Sequence, residues 1–167
     1  MSGGLERLRQ VMADYLHSRG VPAVTAWPML PRAEREEPVV AVSVRGCRAV
    51  PAGLQNYLGE RYDPETGRWE ERYGRKAEIT FGLDIYGPEK GDGAVVRTAF
   101  DALAEALLLG GPEELEIREF SCGSAARDGE SRRLKLPVEA ACAAYLCTAA
   151  GDGGVFHDFE LRGVAKA

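Results

Sequence analysis

The chain has 167 residues, of which 45% are hydrophobic and 28% charged, and its formal net charge is −5 at pH 7. This length predicts a single domain that buries roughly 70% of the surface of its unfolded chain. Lysine and arginine are scattered among the acids, which argues against a nucleic-acid partner because such a partner needs a basic face. No apolar run approaches the roughly 20 residues that span a bilayer, and the first residues, MSGGLERLRQ, lack a signal-peptide core. We therefore expect a cytoplasmic protein with no membrane partner.

The first third of the chain predicts a helix followed by two extended segments. Apolar residues recur at helical spacing between Leu5 and Leu16, which predicts an amphipathic helix over residues 3–19. Gly20 is suited to end it, because glycine takes left-handed conformations readily. The next segment, VPAVTAWPML, contains prolines that confine it to the edge of a sheet. After a polar loop, the run VVAVSV (39–44) predicts a strand.

Residues 56–75 predict a β-hairpin arm. The similar segments LGERY and WEERY lie on either side of DPETG, in which Asp-Pro opens a turn that Gly closes. Tyrosines, a tryptophan and arginines interleave along the arm, and these residue types supply much of the binding energy at protein interfaces. An interface is one interpretation of the arm. The other is that its aromatic side chains fold back onto the sheet while its charges are solvated.

The glycine-rich loop GPEKGDG (87–93) lies between a predicted strand, AEITFGLDIY, and a predicted helix, AVVRTAFDALAEALLLG. That arrangement holds phosphate in nucleotide-binding proteins. Here no lysine–hydroxyl pair follows Gly93, and Val96 stands where the dinucleotide fingerprint needs its last glycine. Glu89 and Asp92 would place negative charge beside the phosphate, and Asp92 is better explained as the N-cap of the helix. The loop is therefore predicted to be a turn.

Three segments in the rest of the chain predict further strands. They are LEIREFS (115–121), LKLPVEAACAAYLCTA (134–149) and VFHDFELRGV (155–164). The segment GSAARDGES (123–131) reads as a loop, and AGDGG supplies the turn of a hairpin between the last two strands.

The residues that could carry chemistry occur at spacings typical of no known site. The chain contains no G-x-S-x-G and no H-E-x-x-H segment. Cys122, Cys142 and Cys147 form no C-x-x-C pair, so reduced thiols are a better interpretation than a metal site completed by His157. Ser121 or Cys122 could act as a nucleophile only if the fold brought a base beside it. We predict no catalytic residue, no metal ligand and no cofactor.

The order of the predicted elements resembles that of a family of virion proteins. It runs from a helix through strands and a long hairpin-like insertion to AEITFGLDIYGPEKGDGAVVRTAFDALAEALL, and ends with strands that close on FHDFELRGVAK. Over about residues 3–164 this order is similar to that of the tail terminator (tail completion) proteins of long-tailed bacteriophages and related contractile injection particles. The strand ending in DIYGP, the helix FDALAEALL and the closing F-x-x-F-x-L-x-G carry most of the likeness.

The resemblance implies a single α+β domain over residues 1–167, with a mostly antiparallel sheet packed by two main helices and a long hairpin arm. It implies a non-enzymatic role, in which copies of the chain form a hexameric ring that caps the tail tube protein and joins it to a neck or connector protein. Such a protein would occur in the bacterial host cytoplasm during assembly and then at the head-proximal end of the virion tail.

A ring contact joins two different surfaces head to tail. The arm and the preceding edge segment are the candidates for one side of that contact, through these residues: Trp27, Tyr57, Arg61, Tyr62, Arg68, Trp69, Arg72, Tyr73 and Arg75.

Two alternatives stay open at this point. One is a small cytosolic, hydrolase-like enzyme built around Ser121, Cys122 and His157, which a pocket holding these side chains within hydrogen-bonding reach would favour. The other is a head–tail connector or neck protein.

Overall fold

The computed structural model describes residues 4–25, 37–51, 57–88, 90, 92–150 and 156–162, with only the backbone described for residues 58, 146–150 and 156–162. Within these residues the chain forms two helices and one sheet of nine strands. In chain order they are α1 (Gly4–Ser18), β1 (Ala23–Val24), β2 (Val39–Pro51), β3 (Tyr57–Asp63), β4 (Arg68–Tyr86), α2 (Gly93–Leu108), β5 (Glu116–Cys122), β6 (Ala126–Arg127), β7 (Leu134–Leu136), β8 (Val138–Ala150) and β9 (Phe156–Arg162).

The sheet is organised around β4, which is 19 residues long. Along one edge of β4, β2 pairs with its second half and β3 with its first half. Along the other edge lie β7 and β8, and β8 in turn pairs with β5 and β9. All these pairings are antiparallel, and β1 adds a short parallel strand outside β2. The predicted fold class, a mostly antiparallel α+β fold with two helices and a long hairpin, is confirmed.

Both helices pack on the same face of the sheet. In α1 the spacing of Leu8, Met12 and Leu16 creates one apolar stripe, and all three side chains are fully buried. They join Phe81 of β4 and Leu103 of α2 in a single hydrophobic core. The two helices also touch each other, because the Tyr15 hydroxyl donates a hydrogen bond to the Ala106 carbonyl oxygen at 2.6 Å.

The structure departs from the sequence-based expectation in three places. The single strand predicted over residues 134–149 is divided at Pro137 into β7 and β8, because proline has no backbone N–H to pair with a neighbouring strand. The strand predicted over residues 39–44 continues to Pro51, because its polar second half pairs with β4 beyond a bulge between Val44 and Gly46. The loop predicted over residues 123–131 contains β6, a two-residue strand held by its pairing with β7. The longer β2 and the added β6 each depend on pairing with another strand, which the pattern within the segment itself does not reveal.

Candidate functional site on the hairpin arm

The predicted arm is a β-hairpin made of β3 and the first half of β4. The register pairs Tyr57 with Tyr73 and Tyr62 with Trp69. The backbone of β8 pairs with the other edge of this part of β4, and β9 pairs with β8. An isolated two-stranded hairpin is marginally stable in water, so these flanking strands are what allow the arm to extend from the core.

The turn at the tip of the arm is held by Asp63. Its carboxylate accepts hydrogen bonds from the Glu65 backbone N–H at 2.9 Å and from the Thr66 hydroxyl at 3.1 Å. The Glu65 bond, and then those from Thr66, lower the pKa of Asp63 below its ordinary value. Gly67 closes the turn with φ +68°, a left-handed conformation that glycine adopts without strain. The turn predicted for DPETG is confirmed.

Four aromatic side chains share one face of the arm, and we call Tyr57, Tyr62, Trp69 and Tyr73 the aromatic face. The rings meet edge to face in two cross-strand pairs, Tyr57 with Tyr73 at 5.7 Å between centroids and Tyr62 with Trp69 at 5.6 Å. Edge-to-face pairs of this kind add about 0.5–1.5 kcal/mol beyond the burial of area. The two contacts therefore stabilise this arrangement of the rings.

A bulge in β3 brings both ring pairs to one side of the arm, where Glu60 and Glu71 pair between them. Tyr57 and Tyr62 are five residues apart, so in a regular strand their side chains would point to opposite faces. The register shifts between Tyr57 and Gly59, which inserts one extra residue and brings both tyrosines to the same side. Gly59 has φ +110°, a conformation that a residue with a side chain rarely adopts.

The aromatic face continues the face of β4 that forms the core. Strand alternation places Trp69 and Tyr73 on the same side as Ala77, Ile79 and Phe81. The last three are at most 1% exposed, whereas Trp69 is 64% exposed. Tyr57 and Tyr62 are also among the exposed large hydrophobic residues. The helices therefore cover this side of β4 near the core but not on the arm. The interpretation in which the aromatic side chains fold back onto the sheet does not describe Tyr57, Tyr62 and Trp69.

The arginines of the arm mostly occupy the opposite face, which we call the charged face. There Arg61 lies across from Glu70, Arg68 across from Asp63, and Arg72 across from Gly59. Cross-strand pairs of opposite charge stabilise a hairpin modestly. The sequence suggested one mixed surface of rings and guanidinium groups, and the structure places three of the four arginines on the face opposite the rings.

Two members of the candidate set lie elsewhere. Strand alternation places Arg75 on the side of the aromatic face, between the arm and the core, where it is exposed. Trp27 lies outside the described residues.

An ionic cluster lies on the face of the sheet away from the helices. Asp84 is only 8% exposed, and Arg45 Nη2 donates to both of its carboxylate oxygens at 2.7 Å. Arg45 Nη1 also donates to Glu139 at 2.9 Å. Burial opposes the charge on Arg45, but the hydrogen bonds and charges of these two acids outweigh it and raise the pKa of the guanidinium. The Arg45 side chain passes over Gly82 to reach Asp84, and only glycine leaves room for it, because a Cβ at position 82 would lie 2.7 Å from Arg45 Nε.

The glycine-rich loop makes a strand-to-helix turn. The Gly87 backbone N–H donates to the Leu134 carbonyl oxygen at 2.8 Å, which joins the end of β4 to β7. Asp92 is the N-cap of α2, and its carboxylate accepts a hydrogen bond from the Ala94 backbone N–H at 3.0 Å. The predicted N-cap is confirmed. Residues 89 and 91 lie outside the described part of the chain.

Strand register separates the residues of the enzyme hypothesis. Cys122 pairs with Val138 at one end of β8, and β9 pairs with the other end through Phe156 and Ala150. Twelve residues of β8 separate these positions, or about 40 Å at 3.3 Å per residue. Ser121 and Cys122 therefore cannot share a site with His157. In the described part of the chain, no three His, Cys, Asp or Glu residues are placed to hold a metal ion.

An apolar cleft lies between the β1–β2 edge and the first half of α2. Its volume is about 580 Å³. Val40 and Ile85, which pair across β2 and β4, line it from the sheet, while Val95 and Ala99 line it from α2. Among the described lining residues, Glu37 is the one charged side chain. Patterning of the sequence could not indicate this cleft, because its walls come from four separate segments.

Neither helix in the described part of the chain combines the length and the apolar character that crossing a membrane requires. No family model matches the chain, and no curated protein matches it.

Proposed function

We propose that this chain is a non-enzymatic structural protein that closes the end of a phage tail tube as a hexameric ring and joins the tube to the neck. The observation that carries the proposal is the aromatic face, which continues the core face of β4 into solvent. The resemblance of the element order to tail terminator proteins supplies the type of assembly, and the arm supplies a surface suited to it.

The chemistry of the arm favours a protein partner. Aromatic side chains bury about 150–250 Å² each, so the three rings that are about half exposed, Tyr57, Tyr62 and Trp69, can contribute roughly 200–400 Å² to a contact. A stable interface buries about 800 Å² on each partner, so the aromatic face can supply a large part of one side. The Asp63 turn and the ring pairs fix the arm before binding, which reduces the entropy lost on association.

The test is the solution mass of the chain by light scattering over a wide concentration range, with electron microscopy of any large species. We expect a concentration-dependent assembly that appears as a ring. A closed dimer with a twofold interface would contradict the proposal, because an isologous contact uses up the same surface on both copies and cannot build a ring.

A matched pair of variants connects the assembly to the aromatic face. Tyr62→Thr with Trp69→Thr removes two rings and keeps residues that favour strands. Arg61→Thr with Glu70→Thr makes the same change to a cross-strand pair on the charged face. Losing one interface hot spot costs about 2 kcal/mol, or roughly thirtyfold in affinity. We expect the first variant to abolish assembly and the second to retain it. Equal assembly by the two variants would refute the role of the aromatic face.

A further inference from the structure

The aromatic face and the apolar cleft lie at opposite ends of the same strand. Trp69 is near the start of β4, and Ile85, which lines the cleft, is near its end. Sixteen residues separate them, or about 50 Å at 3.3 Å per residue. Because β4 is the central strand of a single sheet, the arm cannot fold back into the cleft of its own chain.

The cleft is suited to aromatic side chains. Val40, Ile85, Val95 and Ala99 give it an apolar lining. Its volume of about 580 Å³ lies in the range of roughly 300–1,000 Å³ that buries compact apolar ligands. Tyr62 and Trp69 are the two rings nearest the tip of the arm, and they form one edge-to-face unit. A pair of rings presented at the end of a rigid hairpin is of the size that such a cleft can receive.

Helix α1 does not extend over the cleft. The Tyr15 hydroxyl contacts α2 at Ala106, in the second half of that helix, and α1 ends at Ser18. The first half of α2 therefore has Val95 and Ala99 beside the cleft, where α1 does not reach them. Thr98 and Ala102 of α2 also line the cleft and are exposed.

We propose that the arm of one copy inserts Tyr62 and Trp69 into the cleft of the next copy. This inference rests on the proposed function in assuming that copies of the chain assemble, and it names the two surfaces that meet. Such a contact is heterologous, because it joins different surfaces head to tail, and repetition of it produces a closed ring when the rotation between neighbours closes. The contact uses one arm and one cleft from every copy.

A mixing experiment tests the pairing of these two surfaces. The arm variant is Tyr62→Thr with Trp69→Thr, and the cleft variant is Thr98→Arg, which puts a long charged side chain into the apolar cleft. Thr98 is exposed and arginine favours helices, so this variant is expected to fold. Leu108→Arg is the matched control, since it makes the same change in charge at an exposed position of α2 outside the cleft.

We expect each defective variant to be monomeric alone in sedimentation velocity at a concentration where the wild-type chain and Leu108→Arg assemble. Mixed together, they should form a one-to-one dimer and nothing larger, because the cleft variant still has an arm and the arm variant still has a cleft. Circular dichroism of each variant establishes that it is folded.

The outcomes separate this inference from the proposed function. If the wild-type chain forms rings but the mixture forms no dimer, or if Thr98→Arg assembles normally, the arm-to-cleft contact is refuted and the ring remains. If the wild-type chain is monomeric at every concentration, the arm-to-cleft contact is refuted. The proposed function is then tested separately, by measuring whether the chain binds to the ends of tail tubes.

Discussion

The ionic cluster on the outer face of the sheet yields a stability prediction whose size can be worked out from its contacts. Asp84 accepts two hydrogen bonds of 2.7 Å from Arg45 and one of 3.2 Å from the Val138 backbone N–H. Val138 is fully buried. Replacing Asp84 by alanine therefore leaves a buried N–H group without its acceptor and removes the main partner of a guanidinium group.

These two losses differ in size. A buried donor left without an acceptor costs about 1–3 kcal/mol. Loss of a buried charged partner can cost about 3–5 kcal/mol, but the Arg45 side chain is 32% exposed and keeps Glu139, so water recovers much of that cost. We expect Asp84→Ala to lower the free energy of unfolding by about 3 kcal/mol in total.

The assay is equilibrium unfolding in urea. With a slope of about 2 kcal/mol per molar urea, the midpoint should fall by about 1.5 M at an unchanged slope. Glu78→Ala is the control, since Glu78 lies on the same face of β4 and pairs with Arg48 at 3.3 Å, where both side chains are exposed. Exposed pairs contribute about 0–1 kcal/mol. If Asp84→Ala lowered the free energy of unfolding no more than Glu78→Ala does, the argument that burial makes the Asp84 contacts strongly stabilising would be refuted.

Three further predictions concern single positions. Asp92→Ala removes the N-cap of α2 and should cost about 1 kcal/mol in urea unfolding; no change would show that the cap is replaced by solvent. Gly59→Ala should lower the free energy of unfolding by about 1–2 kcal/mol, because Gly59 has a φ of +110°. Gly46→Ala is the control and should cost almost nothing, since Gly46 has open space around it and no positive φ. Equal effects of the two substitutions would contradict the bulge at Gly59. Burial raises the pKa of the Cys142 thiol from 9.0 to about 12, so the folded state keeps this proton longer than the unfolded state. The contribution of the protonated thiol to the free energy of unfolding is complete below pH 9.0 and is lost as the pH rises towards 12. Across that window the urea midpoint of Cys142→Ala should therefore fall less than that of the wild-type chain. An equal fall would refute the raised pKa of Cys142.

The turns and helices of this protein were predictable because their signals are local. The spacing of Leu8, Met12 and Leu16 predicts α1, and the structure buries all three on one side. The carboxylates of Asp63 and Asp92 accept hydrogen bonds from groups within three residues, so the sequence around each is enough to assign its role.

The candidate site was only partly predictable. The residues of the arm could be named from composition, but the division between an aromatic face and a charged face depends on the register of β3 against β4 and on the bulge at Gly59. A shift of one residue would reverse the faces. Whether the rings were covered also depended on where the helices end over the sheet.

The sequence by itself determined the helices, most of the strands, the turn at Asp63 and the N-cap at Asp92, because each follows from the order of neighbouring residues. Only the tertiary structure decided that Arg45 crosses Gly82 to reach Asp84. It likewise decided that the aromatic face is uncovered and that the cleft lies about 50 Å away along β4. These features join segments distant in the chain, and their positions are set by strand pairing and core packing, which no local pattern encodes.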